Sequence, residues 1–227
     1  MTDVFTPPFY IRSTFIQTLL ASGEIGTRGN NLMLQAAREV ILNPIDDVRL
    51  QGFYSPQTDG QAKGVATLLH GWEGSVNSAD VLRTGRFLYE KGFSVFRLNY
   101  RDHGDTHPLN PGLFYATLLD EVFCAVQQVA QYESELPFYI VGFSMGGNVA
   151  LRIARKCAAQ PIGNLKHVVS ISPVLDPEKS TDAIDRNSLL RYYFRRKWSR
   201  SLLKKQTLFP ALYDFSEVLE HLPKQYS

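Results

Sequence analysis

Pro137-Phe-Tyr-Ile-Val-Gly-Phe-Ser-Met-Gly-Gly147 decides the fold. A short apolar, β-rich run from Phe138 feeds Gly142-Phe-Ser144-Met-Gly146, and a helix-forming stretch from Asn148 to Lys156 follows. This is the G-x-S-x-G strand, turn and helix pattern, and its spacing has a steric origin. A serine on so sharp a bend needs small neighbours two before and two after it, and both are glycine. The bend lifts Oγ clear of the sheet. It also aims the first amides of the helix, that of Met145 among them, at the place where a tetrahedral oxyanion would form. Ser144 is therefore the candidate nucleophile. The competing reading, a chance five-residue pattern in a loop, is disfavoured by the strand and helix on either side.

Working outward, strands and helices alternate. Val65-Ala-Thr-Leu-Leu69 reads as a fully buried strand, Ser78 to Lys91 as a helix ended by Gly92, and Phe93 to Asn99 as a strand. Gly112 to Tyr132 follows as a helix, then the strand at Phe138 to Gly142, a helix from Met145 to Ala159 and a strand at His167-Val-Val-Ser-Ile171. This order implies a mainly parallel α/β sheet with helices on both faces. Val48 to Tyr54 alternates apolar and polar and reads as an antiparallel edge strand. Residues 1 to 45 are a mixed N-terminal extension, with a short helix expected at Phe15 to Ala21 and a loop at Gly23 to Asn31. The predicted organisation is a core over residues 1–176 and a partial helical cap over 177–227.

Composition narrows the function classes. The chain has 227 residues, 44% of them hydrophobic and 20% charged, enough for one sizeable α/β core. A net charge of +2 does not mark the whole surface for nucleic acid. The two cysteines, Cys124 and Cys157, fall in helix-like segments without metal-ligand spacing and read as packing thiols of a reduced compartment. No stretch reaches the roughly 18 apolar residues of a membrane span, and the start lacks a signal-peptide pattern, so a cytoplasmic location is expected.

Two loops follow strands at the edge where open α/β sheets bind ligands. In His70-Gly-Trp-Glu-Gly-Ser75 the backbone N–H of Trp72 is the candidate second oxyanion donor beside that of Met145; the alternative is a glycine-rich turn with a core-facing His70. In Tyr100-Arg-Asp-His-Gly104, His103 or Asp102 could reach a pocket. The preferred reading has Arg101 and Asp102 tying the loop down while Gly104 takes a turn conformation.

With Phe15-Ile-Gln-Thr-Leu-Leu20, Asn99-Tyr-Arg-Asp-His-Gly104, Asp120 and Gly142-Phe-Ser-Met-Gly-Gly-Asn148 added to the His70 loop, the chain resembles the α/β-hydrolase superfamily and, within it, the YheT-like esterase branch. The match runs over nearly all of residues 5 to 205. The resemblance implies carboxylic-ester hydrolysis through an acyl-enzyme on Ser144, small-molecule ester substrates, no metal and no cofactor. A thioesterase, lipase or acyltransferase would use the same elbow, because fold does not fix substrate.

The chain departs from that pattern in its triad. Relatives carry an acid after a later strand and a histidine after the last one. Here Pro177 to about Leu222 reads as helical, and the only histidine after Ile171 is His221, beside Pro223. Asp176 follows a strand and could stand in for the acid, but an acid without an imidazole has nothing to orient. Loss of the base costs about a millionfold in turnover, roughly 8 kcal/mol. Two expectations stand: an amino-terminal piece of a longer frame, which is preferred because the strand at 167–171 would otherwise be an exposed parallel edge, or a shortened and catalytically silent relative. A non-catalytic scaffold or ligand- or membrane-binding protein is the alternative function.

Arg186 to Lys205 holds eight basic residues and no acidic one. Leu190, Phe194, Trp198 and Leu202 recur every fourth residue, which predicts a helix with an aromatic-aliphatic stripe opposite a basic face. It reads as a cap helix packed on the core with a solvated basic rim, or as one that also touches anionic lipid.

Overall fold

The structure is a computed structural model and describes residues 6–13, 16, 17, 27, 29–58 and 61–220. The helix expected at Phe15 to Ala21 and His221 lie wholly or mostly outside the described residues, as does most of the loop at Gly23 to Asn31. Six strands make one sheet: β1 (Arg38–Leu42), β2 (Leu50–Ser55), β3 (Val65–Leu69), β4 (Ser94–Leu98), β5 (Phe138–Phe143) and β6 (Leu165–Ile171). They lie side by side in the order β1-β2-β4-β3-β5-β6. β1 and β2 are antiparallel, as are β2 and β4, while β4, β3, β5 and β6 run parallel. The helices are α1 (Leu32–Gln35), α2 (Ala79–Glu90), α3 (Leu119–Ala130), α4 (Met145–Lys156), α5 (Pro177–Arg186), α6 (Ser188–Leu208) and α7 (Ser216–Glu220).

The period-2 alternation of the strands sorts the core into two layers. Leu68, Val95, Val141 and Phe143 face one way and pack with Met33 of α1 and Val81, Leu82 and Tyr89 of α2. Val65, Leu69, Phe96, Leu98, Phe138 and Ile140 face the other way, onto Val122, Phe123, Val126 and Val129 of α3 and Val149, Ala150 and Ile153 of α4. Every residue of β3 and β4 is buried, including the polar Thr67, Ser94 and Arg97. β6 closes the sheet on one side. Val169 and Ile171 are 46% and 41% exposed, so this strand is the apolar parallel edge that its sequence predicts.

Two elements differ from the sequence reading. β1 lies inside the segment read as mixed; it is an edge strand whose burial is confined mostly to Leu42, so alternation leaves little trace in it. The helix expected from Gly112 begins only at Leu119. The intervening backbone is committed elsewhere: Phe114 N–H donates to the Asp102 carboxylate (2.8 Å) and the Gly112 carbonyl accepts from Lys205 (3.0 Å). A backbone whose polar groups are satisfied by tertiary partners has no need of the helical ladder.

Candidate active site

Ser144 stands between β5 and α4 with φ 52° and ψ −116°, a left-handed bend that a non-glycine residue adopts at a cost of about 1–3 kcal/mol. The glycines around it explain how the bend closes. A Cβ on Gly142 would overlap the Gly146 carbonyl and come within 2.8 Å of Gly147 N. A Cβ on Gly146 would overlap the carbonyls of Leu69 and His70, so the first turn of α4 lies directly on the end of β3. Ser144 is exposed at the surface. Its N–H donates to the Ile171 carbonyl (3.0 Å) and its carbonyl accepts from Val174 N–H (3.3 Å), which ties the bend to the end of β6. Met145 is the first residue of α4, where amides have no acceptor within the helix, and its side chain lies in the core.

The loop after β3 reaches this bend. A Cβ on Gly71 would sit 3.3 Å from Ser144 Cβ and 3.8 Å from its Oγ. Gly74 N–H donates to the Gly71 carbonyl (3.0 Å) and Glu73 has φ 54°, so residues 71–74 form a turn in which the amide of Trp72, at the second position, is not used by the turn itself. His70 is the core-facing residue of the alternative reading and the loop's anchor at once. Its Nδ1 pairs with the Gly71 carbonyl (2.7 Å), its Nε2 accepts from Tyr100 N–H (3.4 Å), and complete burial holds it neutral, well below its ordinary pKa.

The loop after β4 is structural. Arg101 pairs with Glu121 of α3, Asp102 takes φ 57°, and Gly104 takes φ 61°. Asp102 Oδ1 accepts from Lys205 Nζ at 2.7 Å, and both side chains are almost completely buried. Lys205 Nζ also donates to the carbonyls of Asn110 (2.5 Å) and Gly112 (3.0 Å). His103 is nearly enclosed, with Nδ1 at the Arg101 carbonyl (2.8 Å).

α6 holds both loops. Phe194 stacks on Trp72 with ring centroids 5.1 Å apart and planes within 7°, and Lys197 Nζ donates to the Glu73 carbonyl at 2.9 Å. A cavity of about 210 Å³ lies between Glu73, His103, His107 and the α6 residues Lys197, Arg200, Ser201 and Lys204; Ser144 is not among the residues lining it. The predicted stripe is corrected here. Leu190 and Phe194 are half-buried and Leu202 is buried, but Trp198 is 41% exposed, whereas Lys205 of the predicted basic face is buried. A spacing of four turns by about 40° per step relative to the helix axis, so the stripe winds off the packed face. The face that packs runs through Leu190, Phe194, Lys197, Ser201, Leu202 and Lys205. Sequence reasoning missed Lys197 and Lys205 because a lysine that donates to carbonyls of the core has the same sequence signature as a solvated one.

The described histidines have partners other than Ser144. His70 and His103 are bonded as above, His107 Nε2 meets Ser201 Oγ (2.8 Å), and His167 stacks on Tyr139. Asp176, the candidate acid, caps α5 by accepting from Lys179 N–H (3.1 Å) and pairs with the Lys179 side chain (3.0 Å). Both bonds to Lys179 hold its carboxyl below the usual range.

These burials fix how stability depends on pH. His103 and His107 are each lowered to about 4 by burial, and burial also holds His70 well below its ordinary value. Between about pH 4 and 6.5 the unfolded chain therefore binds more protons than the folded one, and stability rises with pH. Glu73 is raised to about 7 by burial, with Lys197 opposing, and acts in the other direction between about pH 4.5 and 7. Asp80 is also raised by burial and acts with Glu73. Three enclosed imidazoles outweigh two partly buried carboxyls, so the thermal midpoint should climb from pH 4.5 to pH 6.5. Circular dichroism melts across that range check this, and a flat or falling midpoint would contradict it.

A mainly parallel sheet with a serine on a strand-to-helix bend defines the α/β hydrolases. Residues 60–225 match the serine aminopeptidase S33 family of hydrolases, and the chain belongs to it. Over 155 residues it is 33% identical to slr0264, an esterase candidate of Synechocystis; the match covers 65% of this chain and 41% of that protein, so the chain spans less than half of that relative's length. Among solved structures, an esterase of Pyrococcus furiosus, Pf2001, superposes with a TM-score of 0.58 at 20% identity, covering 77% of this chain and 65% of that one. Esterase Est22 does so with 0.57 at 15% identity, covering 80% and 59%. These structures share the fold. Among the described residues, no helix is long and apolar enough to cross a membrane.

Proposed function

We propose that this chain carries the nucleophile of a carboxylic-ester hydrolase acting through an acyl-enzyme on Ser144. The supporting observation is an exposed serine in a left-handed bend at the start of α4 with Gly71 of the neighbouring loop against it. In this reading Ser144 Oγ attacks the ester carbonyl carbon while the amides of Trp72 and Met145 take the oxyanion. The carbon–oxygen bond to the alcohol then breaks, the alcohol leaves with a proton, and water releases the acid from the acyl-serine. Each oxyanion donor contributes on the order of a hundred- to a thousandfold in rate. The esterase names of the relatives favour small-molecule esters as substrates, and the chemistry calls for no cofactor. Proton transfer requires an imidazole at Ser144, and the partners of the four described histidines all lie elsewhere. That observation favours a second reading, a scaffold that keeps the pocket and has lost turnover.

A fluorophosphonate probe separates them. The wild-type chain should become labelled on Ser144, located by peptide mass spectrometry, and Ser144→Ala should abolish the labelling together with hydrolysis of short and long acyl nitrophenyl esters. A Ser144→Ala variant labelled as well as wild type rejects the nucleophile. Folded wild type that binds ester analogues and neither labels nor turns over supports the scaffold.

A further inference from the structure

The outward side of α6 carries a pattern that the packing of the core does not require. At about 100° per residue, Leu189, Tyr192, Arg196, Ser199 and Leu203 fall within an arc of roughly 80°, flanked by Arg195 and Arg200. Leu189 is 60% exposed, Tyr192 44% and Leu203 52%. Three exposed apolar residues share this stripe, while Tyr193, Trp198 and Leu208, also exposed, lie outside it. The stripe is also strongly cationic in its setting: Ser188–Leu208 contains Arg191, Arg195, Arg196, Lys197, Arg200, Lys204 and Lys205 and no acidic residue. Lys197, Lys204 and Lys205 have acceptors on the core. Arg195, Arg196 and Arg200 have no ion-pair partner among the described residues; the nearest contact is Arg196 Nη1 donating to the Tyr192 hydroxyl at 3.0 Å. The acidic residues of neighbouring segments are Asp176, Glu178, Asp182 and Asp185 in and before α5, Asp214, Glu217 and Glu220 after α6, and, packed against α6, Glu73 beside Lys197, Asp102 paired with Lys205 and Asp105 paired with Lys204.

We infer that the outer face of α6 is a docking surface for an anionic lipid bilayer, with Leu189, Tyr192 and Leu203 entering the interface and Arg195, Arg196 and Arg200 meeting lipid phosphates and carboxylates. At about 100° per residue Arg196 lies within the arc, Arg200 about 20° beyond one edge and Arg195 about 40° beyond the other, so the three arginines border the apolar stripe near its middle. Apolar and aromatic side chains interleaved with arginine suit the boundary between headgroups and acyl chains, where each part of the stripe finds its own solvent. A nucleic acid would use the charge and leave the leucines in water. This surface is independent of Ser144 and requires no turnover.

Sedimentation of the full chain with vesicles tests it. The protein should bind vesicles of phosphatidylcholine with 30% phosphatidylserine, bind phosphatidylcholine alone weakly, and be released by 0.5 M sodium chloride. Replacing Arg195, Arg196 and Arg200 by glutamine should weaken binding by about a hundredfold, at roughly fivefold per arginine. The corresponding lysine substitutions should keep most of the binding. Leu189→Ser with Leu203→Ser should weaken it with all arginines in place. Circular dichroism melts confirm that each variant is folded. Equal binding to both vesicle types, undiminished binding by the glutamine variant, or retention on a DNA duplex without vesicle binding would overturn the inference.

Discussion

Replacing Lys205 with methionine is expected to destabilise the folded protein by about 3–5 kcal/mol, the cost of leaving a buried charge without its partner. Lys205 is 1% exposed and its ammonium has Asp102 at 2.7 Å and the carbonyls of Asn110 and Gly112 around it. Without it the Asp102 carboxylate keeps only the Phe114 amide, and the carbonyls of His107, Asn110 and Gly112 lose a donor. Urea unfolding measures the loss, and a value under about 1 kcal/mol would mean that water reaches the pair. Combining Lys205→Met with Asp102→Asn should return part of the stability, because the orphaned charge is then gone. Arginine is no substitute here. A planar guanidinium does not fit a compact cage built around one ammonium.

Gly142→Ala is the second large effect. The added Cβ would overlap the Gly146 carbonyl, and the obstacle is backbone at the start of α4, which cannot move without shifting the whole helix. A loss of at least about 3 kcal/mol is expected, at the upper end of overpacking effects. Gly163→Ala is the control: nothing lies within 4 Å of its Cβ position, and its thermal midpoint should match wild type. Similar midpoints for the two variants would show that the elbow yields easily. The steric account of the bend would then be wrong.

The central sheet was legible because burial on both faces leaves uninterrupted apolar runs. Val65–Leu69 lies where its sequence put it, and Phe138–Phe143 extends the predicted strand by one residue. The Ser144 bend was legible through Gly142 and Gly146, whose need for small side chains is a strong local constraint. β1 was missed because an edge strand buries too little to carry alternation. The start of α3 was misplaced because Asp102 and Lys205, distant in sequence, take the backbone groups of residues 112–114. The inward face of α6 was misread for a related reason. Periodicity sorts residues by polarity, whereas Lys197 and Lys205 point inward to meet carbonyls supplied by loops about a hundred residues away.

The hydrogen bond from Ser144 N–H to Ile171 gives β6 a role beyond completing the sheet. The outermost ribbon fastens the one bend on which a reacting hydroxyl would depend, and among the described residues it has a strand neighbour on one side only. Exchange of that single amide proton with deuterium therefore gauges how firmly the rim is seated, and anything that braces the free margin of β6 also stiffens the serine.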